Sequence, residues 1–494
     1  MNALQEDRSL ARAPHEDRER WIALYVLCVG MLMIVLDVTV VNVALPSIQD
    51  DLRFSTSSLA WVVNAYLIAF GGLLLLAGRF GDLIGRRRIF LAGVGLFTAA
   101  SLACGLADSQ TALIAARFVQ GVGGAMTSAV ILGMIVTMFP EPREQAKAIG
   151  VYAFVASAGG SVGLLAGGVI TQSIDWHWIF FVNIPIGIAT AVAARRLLEH
   201  DAGIGLAEGA DIPGALLITS ALMLGVYTIV KPAAEDGWGA GRTLALGGVS
   251  LALLLGFLSR EATAGKPLVP LRIFRSRNVA AANLIQVLSV AGMFGVFFLG
   301  ALYLRRVLGY DALDIGLAFL PVSLTMGTLS IRYSERLVTR FGARNMLVPG
   351  LALIGLALVL FAQVPVHGSY LAHVLPSMLL LGIGAGVCFP ALMNVAMSGA
   401  EPQDAGLASG LVNTTAQVGG ALGLAVLATL STSRSAHLIA QGHATAAALT
   451  SGYHLAFWIA TGLVGAAIAV VPLVAREDAP ELAAAGSPIA RAHD

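Results

Sequence analysis

An aspartate inside one apolar run and an arginine inside another are the residues of this sequence best placed to do chemistry. Asp37 stands in Ile34-Val35-Leu36-Asp37-Val38-Thr39-Val40, and Arg117 lies near the start of a run that ends at Met138. A charge within such a run is costly to bury and marks an ion or proton path. If each run is a membrane-spanning helix, Asp37 lies about 24 Å from the inner end of its helix and Arg117 about 9 Å from the outer end of its own, similar depths in a ~30 Å core. Burial opposes the ionised carboxylate and a nearby guanidinium favours it. Two readings stand: a permanent ion pair, or an Asp37 that takes up a proton from outside and, losing its charge, shifts the balance between two conformations.

A second concentration of charge is Gly78-Arg79-Phe80-Gly81-Asp82-Leu83-Ile84-Gly85-Arg86-Arg87-Arg88. Its arginines fit a cytoplasmic loop. Glycines that permit a tight turn, an acid at a helix end and arginines three to four positions later also make a compact latch between cytoplasmic faces. Uncharged polar residues at helical spacing mark a third feature. Asn283 with Gln286, and Asn413 with Gln417, each share a helix face that would be expensive against lipid. With Phe294, Phe297, Phe298 and Tyr303 they can line a cavity for a bulky apolar or cationic compound, or pack between helices. Asn42, Asn64, Tyr66, Gln120 and Met393 are weaker candidates for the same cavity. Asp311 and Asp314 fall near an outer helix end, where a solvated loop is expected.

The elements that position these residues follow from composition. Apolar residues make up 57% of the 494, charged residues 12%, and mean hydropathy is +0.82. A soluble domain carries roughly 25% charged residues, so the bilayer is the solvent here. Apolar runs near 21–45, 58–77, 89–107, 111–138, 147–171, 178–197, 211–230, 242–259, 279–303, 313–331, 345–363, 370–397, 405–430 and 453–474 predict fourteen transmembrane helices. With both termini inside, inner segments hold 23 of the 30 Lys and Arg, outer segments 6, and one, Arg117, lies within a helix. That asymmetry supports an even number of spans and this orientation. The polar start, residues 1–20, precedes an apolar run too long for a cleaved signal, so an uncleaved first helix and a cytoplasmic N-terminus are expected. Cys28, Cys104 and Cys388 lie in separate apolar runs and read as small core residues. His437, His443 and His454 read as solvated histidines of one loop, without metal spacing.

Internal repetition organises the helices. Glu141-Pro142 to Gly150 recurs as Glu401-Pro402 to Gly410, and Gly159, Gly160 and Gly163 recur as Gly419, Gly420 and Gly423, at one offset of 260. Arg340-Phe341-Gly342-Ala343-Arg344 echoes Leu83-Ile84-Gly85-Arg86-Arg87 at an offset of 257. The repeat predicts an all-α membrane protein: a cytoplasmic tail at 1–20, a six-helix bundle at 21–200, an inserted helix pair at 201–278, a second six-helix bundle at 279–475 and a cytoplasmic tail at 476–494.

Here a family becomes recognisable. The loop resembles the hallmark loop of the major facilitator superfamily at Gly78, Asp82, Gly85, Arg86 and Arg87. Leu36-Asp37-Val38-Thr39-Val40-Val41-Asn42-Val43-Ala44-Leu45-Pro46 resembles the first-helix signature of the fourteen-helix drug:proton antiporter branch. Arg117-Phe118-Val119-Gln120-Gly121-Val122-Gly123-Gly124-Ala125 is similar to its fourth-helix motif, and the segment from Asp175 to Gly187 looks characteristic of the branch. Gly159, Gly163, Gly167 and Gly168 match the antiporter motif of the fifth helix, except that Leu164 stands where that motif has proline. The second-half loop departs further, with Glu335 for glycine and Thr339 for the acid.

The resemblance implies two bundles around a midplane cavity that opens alternately to each side, and export of drugs or other amphipathic small molecules across the plasma membrane in exchange for protons. It implies Asp37 as proton carrier, Arg117 as its tuner and Asp82 with Arg86 as the inner gate. A dedicated exporter of a metabolite, siderophore or lipid would use the same motifs. No cofactor is expected. Gly382-Ile383-Gly384-Ala385-Gly386 and Gly121-Val122-Gly123-Gly124 follow no strand and precede no lysine, so they read as helix faces rather than nucleotide loops, and ATP is not the direct energy source. A net charge of +1 argues against nucleic acid. An enzyme would need convergent nucleophiles or ligands, and a sensor a sizeable soluble domain.

Overall fold

The computed structural model describes residues 14–199, 201, 203–205, 209–399 and 405–474. The expected tails at 1–20 and 476–494 therefore lie mostly or wholly outside the described residues. Those described are helical and connected by short turns. In chain order the helices are α1 (Pro14–Asp51), α2 (Thr56–Ile84), α3 (Arg86–Gly105), α4 (Gln110–Met138), α5 (Pro142–Ser173), α6 (Trp178–Leu197), α7 (Ile212–Val230), α8 (Gly241–Thr263), α9 (Arg277–Arg306), α10 (Ala312–Thr328), α11 (Ala343–Phe361), α12 (Tyr370–Ser398), α13 (Ala405–Ala440) and α14 (Thr445–Val470). Among the described residues, twelve helices are long and apolar enough to cross a membrane; α5 and the 17-residue α10 are not in that set. α10 continues through a π turn at Leu329–Tyr333 into Ser334–Phe341.

Several helices outrun their apolar cores. α1 starts before residue 21 and ends at Asp51, and α13 and α14 extend toward each other to Ala440 and from Thr445. The expected histidine loop is correspondingly small: His437 sits in the last turn of α13 and His454 on α14, where its Nε2–H donates to the Val364 carbonyl at 2.7 Å. Backbone bonding continues past the hydrocarbon boundary wherever side chains tolerate it, so apolar length underestimates helix length. All three cysteines are buried and free, as expected.

Packing reproduces the repeat in three dimensions. Gly159 and Gly163 of α5 pack on Leu32, Val35 and Thr39 of α1; Gly419 and Gly423 of α13 pack on Val287 and Ala291 of α9. Gly123 of α4 lies against the backbone of Phe97 and Gly93 of α3, and Gly384 of α12 against that of Gly350 and Ile354 of α11. Without side chains at these crossings the backbones approach closely, which supplies the dispersion contact that holds helices together in lipid. The junctions α2–α3 and α10–α11 both turn on a left-handed glycine, Gly85 with φ 105° and Gly342 with φ 81°, a conformation that strains other residues. α7 and α8 pack on each other, and α7 also on α2 and α13. α8 is the least enclosed helix, exposing Leu244, Val249, Leu251, Leu255 and Leu258.

Candidate functional site

α1, α3, α4 and α6 converge on Asp37. Its Oδ2 accepts a hydrogen bond from Arg117 Nη1 at 2.5 Å, and its Oδ1 accepts from Gln120 Nε2 at 2.6 Å and Asn183 Nδ2 at 3.2 Å. Gln120 also accepts from Arg117 Nη1 at 2.6 Å and donates to Ser101 Oγ at 2.9 Å, while Arg117 Nε donates to the Val62 carbonyl at 3.0 Å. The guanidinium lies over the Tyr66 ring, 4.4 Å from its centroid. Asp37 and Arg117 are each 1% exposed and Gln120 is sealed completely. The carboxylate thus faces protein rather than lipid, with charge-assisted donors on both oxygens. An arrangement of this kind can hold a carboxylate in hydrocarbon, and protonating it leaves a guanidinium without its counter-charge.

Helix register explains why these residues meet. Arg117 and Gln120 are three apart and so share one face of α4. Small residues let that face approach its neighbours, since Gly121 packs on the Tyr66 carbonyl of α2 and Gly123 on α3. Asn183 opens the longer part of α6, and Trp176 just before that helix donates from Nε1 to Asp51 Oδ2 at 3.0 Å, so both ends of this stretch are tied to α1. Sequence reading paired Asp37 with Arg117 but assigned Gln120 to the cavity and gave Asn183 and Ser101 no role. The i, i+3 spacing from Arg117 is the available signal for Gln120, the branch-like segment from Asp175 to Gly187 is the one for Asn183, and nothing local marks Ser101.

The loop from Gly78 to Arg88 folds within the first half of the chain. Asp82 Oδ1 accepts from Arg86 Nε at 3.3 Å and Nη2 at 3.1 Å across the Gly85 turn, and Arg86 Nη1 donates to the Gly133 carbonyl and Thr137 Oγ1 of α4, both at 3.0 Å. Arg87 donates to the Arg195 carbonyl. Gly78 faces Ala129 of α4, and Gly81 packs tightly on Val130. The acid that completes the arrangement went unnoticed in the sequence: Asp201 accepts the backbone N–H of Arg86 at 2.7 Å and of Arg87 at 3.3 Å, capping α3 from more than a hundred residues away. Ile204 and Gly205 donate to the carbonyls of Asp82 and Leu83, both at 2.9 Å, so the linker after α6 straps the loop. Replacing Asp201 by Ala orphans two N–H groups, and a loss of about 1 kcal/mol is expected, read as a lower melting temperature of the purified protein.

At the opposite end of the helices from that loop, contacts tie the two halves together. Arg306 pairs with Asp50 and donates to Gln49 Oε1 at 3.2 Å; Gln172 Nε2 donates to Asp311 Oδ2 at 2.7 Å, and Gln172 Oε1 accepts from Leu313 N at 3.2 Å. Gly168 packs on Ala312 and Leu313, and Gly316 on the Leu164 carbonyl. Gly168 therefore faces α10, while Gly159, Gly163 and Gly167 face α1. With leucine at 164, α5 runs from Pro142 to Ser173 with no proline past its first turn. Asp311 lies at the solvated helix end, as expected, and there also caps α10 and contacts the other half. The Asp314 N–H chiefly, and the Gln172 amide after it, hold its carboxyl below the usual carboxylate range. Because that value is depressed, the bridge is complete above the ordinary carboxylate range and is lost as pH falls through the lowered one. Acidification to that point is expected to lower the melting temperature of the wild type more than that of Asp311→Asn, whose amide does not titrate; equal falls would remove Asp311 from the seam.

The cavity candidates do not converge on one lining. Asn283 Nδ2 donates to the Val279 carbonyl at 2.8 Å, and its Oδ1 accepts from Thr415 Oγ1 at 2.9 Å, joining α9 to α13. Gln286 is buried with Oε1 unpartnered, and Asn64 is buried with neither amide atom bonded. Asn42 donates to Val38 of its own helix, Asn413 is exposed and bonded to Ser409, and Gln417 packs on Gly71 of α2. Phe294 covers Gly420, whereas Phe298 is 1% exposed in the core and lines nothing open. Its helical position matches a cavity face, but α9 is enclosed on several sides, so periodicity alone could not separate a lining from a core.

Comparison with known proteins identifies the family. The Major Facilitator Superfamily model matches residues 27–424. The puromycin resistance protein pur8 of Streptomyces alboniger is 39% identical over 97% of this chain and 96% of its own length. The cephamycin export protein CmcT of Amycolatopsis lactamdurans is 38% identical over 95% and 96%. Among solved structures, a bacterial homologue of the human lysosomal transporter Spinster, inward-facing and unoccupied, superposes with a TM-score of 0.68 at 16% identity, covering 94% of this chain and 98% of that one. From its sequence, its helical fold and its relatives, this chain is a multi-pass membrane transporter, not an enzyme, and belongs to the Major Facilitator Superfamily.

Proposed function

We propose that the protein exports drugs or other amphipathic small molecules across the plasma membrane by proton antiport. The observation that carries this reading is the sealed Asp37–Arg117–Gln120–Asn183 network, in which one proton on Asp37 removes the counter-charge of a buried guanidinium. Losing a buried partner costs about 3–5 kcal/mol, enough to tip a transporter between two states. In this reading the closed outer side is one of those states, and Asp37 meets outside water in the other.

The helices form fourteen spans with both termini cytoplasmic: a bundle over 21–200, an inserted pair over 201–278 and a bundle over 279–475. The matched glycine crossings of α1 with α5 and of α9 with α13 support that division. Asp82 and Arg86 act as the inner gate, their strap holding the loop in the present state. Substrate meets α9 and α13 near Gln286, whose carbonyl oxygen is unpartnered. The transmembrane proton gradient is the energy source; neither ATP nor a bound cofactor takes part.

The test is proton flux in proteoliposomes. Adding a transported compound should drive protons in the opposite direction, and a panel of compounds distinguishes broad drug efflux from dedicated export of one metabolite, siderophore or lipid. Substrate movement indifferent to a pH gradient would overturn antiport.

A further inference from the structure

A second buried acid cluster lies in the inserted pair, where α7 begins and α8 ends. Asp211 and Glu261 are 4% and 3% exposed. Asp211 Oδ1 accepts from Gly214 N at 3.1 Å, capping α7, and from Arg260 Nε at 2.5 Å. Glu261 Oε2 accepts the Val269 N–H at 2.8 Å, fastening the end of α8 to the linker that leads into α9. The other two oxygens, Asp211 Oδ2 and Glu261 Oε1, are buried without a hydrogen-bond partner. They crowd the same place: a Cβ on Gly214 would lie 3.1 Å from Glu261 Oε1 and closer still to Asp211 Oδ2.

Ionised carboxylates only accept hydrogen bonds, so two orphan oxygens crowded beside Gly214 cannot satisfy each other. Leaving each unsatisfied costs about 1–3 kcal/mol, and like charges in a dry site repel besides. Arg260 supplies one positive charge against two negative ones. A single proton balances the site and provides the missing donor. A metal ion fits less well, because no group of three His, Cys, Asp or Glu suited to a metal occurs among the described residues, and the guanidinium already on Asp211 repels a dication.

Among the described residues, the charged groups on the elements packed around the site can be named. From α2, Arg79 Nε donates to the Gly209 carbonyl at 3.3 Å. Lys266, Arg272 and Arg275 lie on the linker that Glu261 holds, and Arg277 opens α9. The charged or titratable residues of α13, Arg434 and His437, lie at its far end. Past Val269 the linker packs with Ile273 on Ala408 and Leu411 of α13, so its anchor bears on the cytoplasmic end of the second half.

We propose that Asp211 and Glu261 bind one proton between them, and that its release to the cytoplasm sets two buried carboxylates against each other and weakens the junction of α7 with α8. The site is independent of Asp37 and adds a proton-sensitive contact outside the transport path.

Infrared difference spectroscopy of the full chain in nanodiscs tests this. Glu261 is the sole buried glutamate among the described residues, so ¹³C-labelled glutamate reports on it without any substitution. A protonated-carboxyl band that shifts with the label is expected at neutral pH and should vanish reversibly as pH rises. It should be lost in both Glu261→Gln and Asp211→Asn and persist in Asp37→Asn, which separates failure here from failure of the antiport reading. Stabilisation by the proton is present at low pH and lost as pH rises, so the wild-type melting temperature should fall on the alkaline side while that of Glu261→Gln, whose amide is a permanent donor, should stay level. Absence of the labelled band at neutral pH overturns the proposal. So does a melting temperature raised at neutral pH by Mn²⁺ or Na⁺ in the wild type and not in Glu261→Gln, which would make the site a metal site.

Discussion

Asp37→Asn is expected to abolish uphill, proton-driven export while leaving downhill substrate exchange. The amide keeps the shape of the carboxylate and an acceptor for Arg117, but it cannot take up and release a proton. The guanidinium, 1% exposed, then has no counter-charge in either state. Breaking a buried pair from one side costs about 3–5 kcal/mol, and the retained acceptor places this variant at the lower end. A drop in melting temperature should therefore accompany the loss of coupling. Arg117→Met should also fail, for the converse reason: a buried carboxylate without its partner stays neutralised. The decisive comparison is accumulation against a gradient versus exchange without one, in the same proteoliposomes. An Asp37→Asn protein that still concentrated substrate under a pH gradient would show that the ion pair is structural only.

Gly316→Leu is expected to hold the outer side open. The helix α10 crosses α5 where a Cβ on Gly316 would stand 2.5 Å from the Leu164 carbonyl, and backbone atoms cannot step aside as a flexible side chain can. Overpacking of this kind costs about 1–3 kcal/mol, which shifts a two-state balance roughly 5- to 150-fold. The strain exists only when the halves are closed outside, so it acts on the equilibrium between states rather than on folding of either half. Cysteines at Gln49 and Arg306 should cross-link readily in the parent protein and poorly in this variant, and export should fall in proportion. Retained cross-linking would mean that α5 and α10 accommodate the side chain and that the seam is not the closing contact.

Much of this molecule was legible in one dimension because lipid imposes a simple rule. Backbone polar groups must be satisfied within each span, so apolar runs become helices and their charged ends report orientation. Asp37 and Arg117 stood out for the same reason, as ionised groups with no water nearby. The offset repeats predicted matched helices, and the crossings of Gly163 with α1 and Gly423 with α9 are their spatial counterpart. Side-chain partners across helices were harder. Asp201 lies in a polar linker that resembles any other, and its role as the cap of α3 exists only because α6 returns the chain beside Arg86.

The sequence alone determined the solvent, the helices, the family and the two charges within apolar runs, since each of these depends on composition or on spacing along a single helix. Tertiary structure decided what those charges touch. Gln120, Ser101 and Asn183 complete the Asp37 site, Phe298 belongs to the core, and Asp211 and Glu261 are brought to the same glycine, Gly214, from two helices. The reason is that a helix face is defined by its own period, whereas the neighbour it meets depends on crossing angles and depths set by every other helix in the bundle.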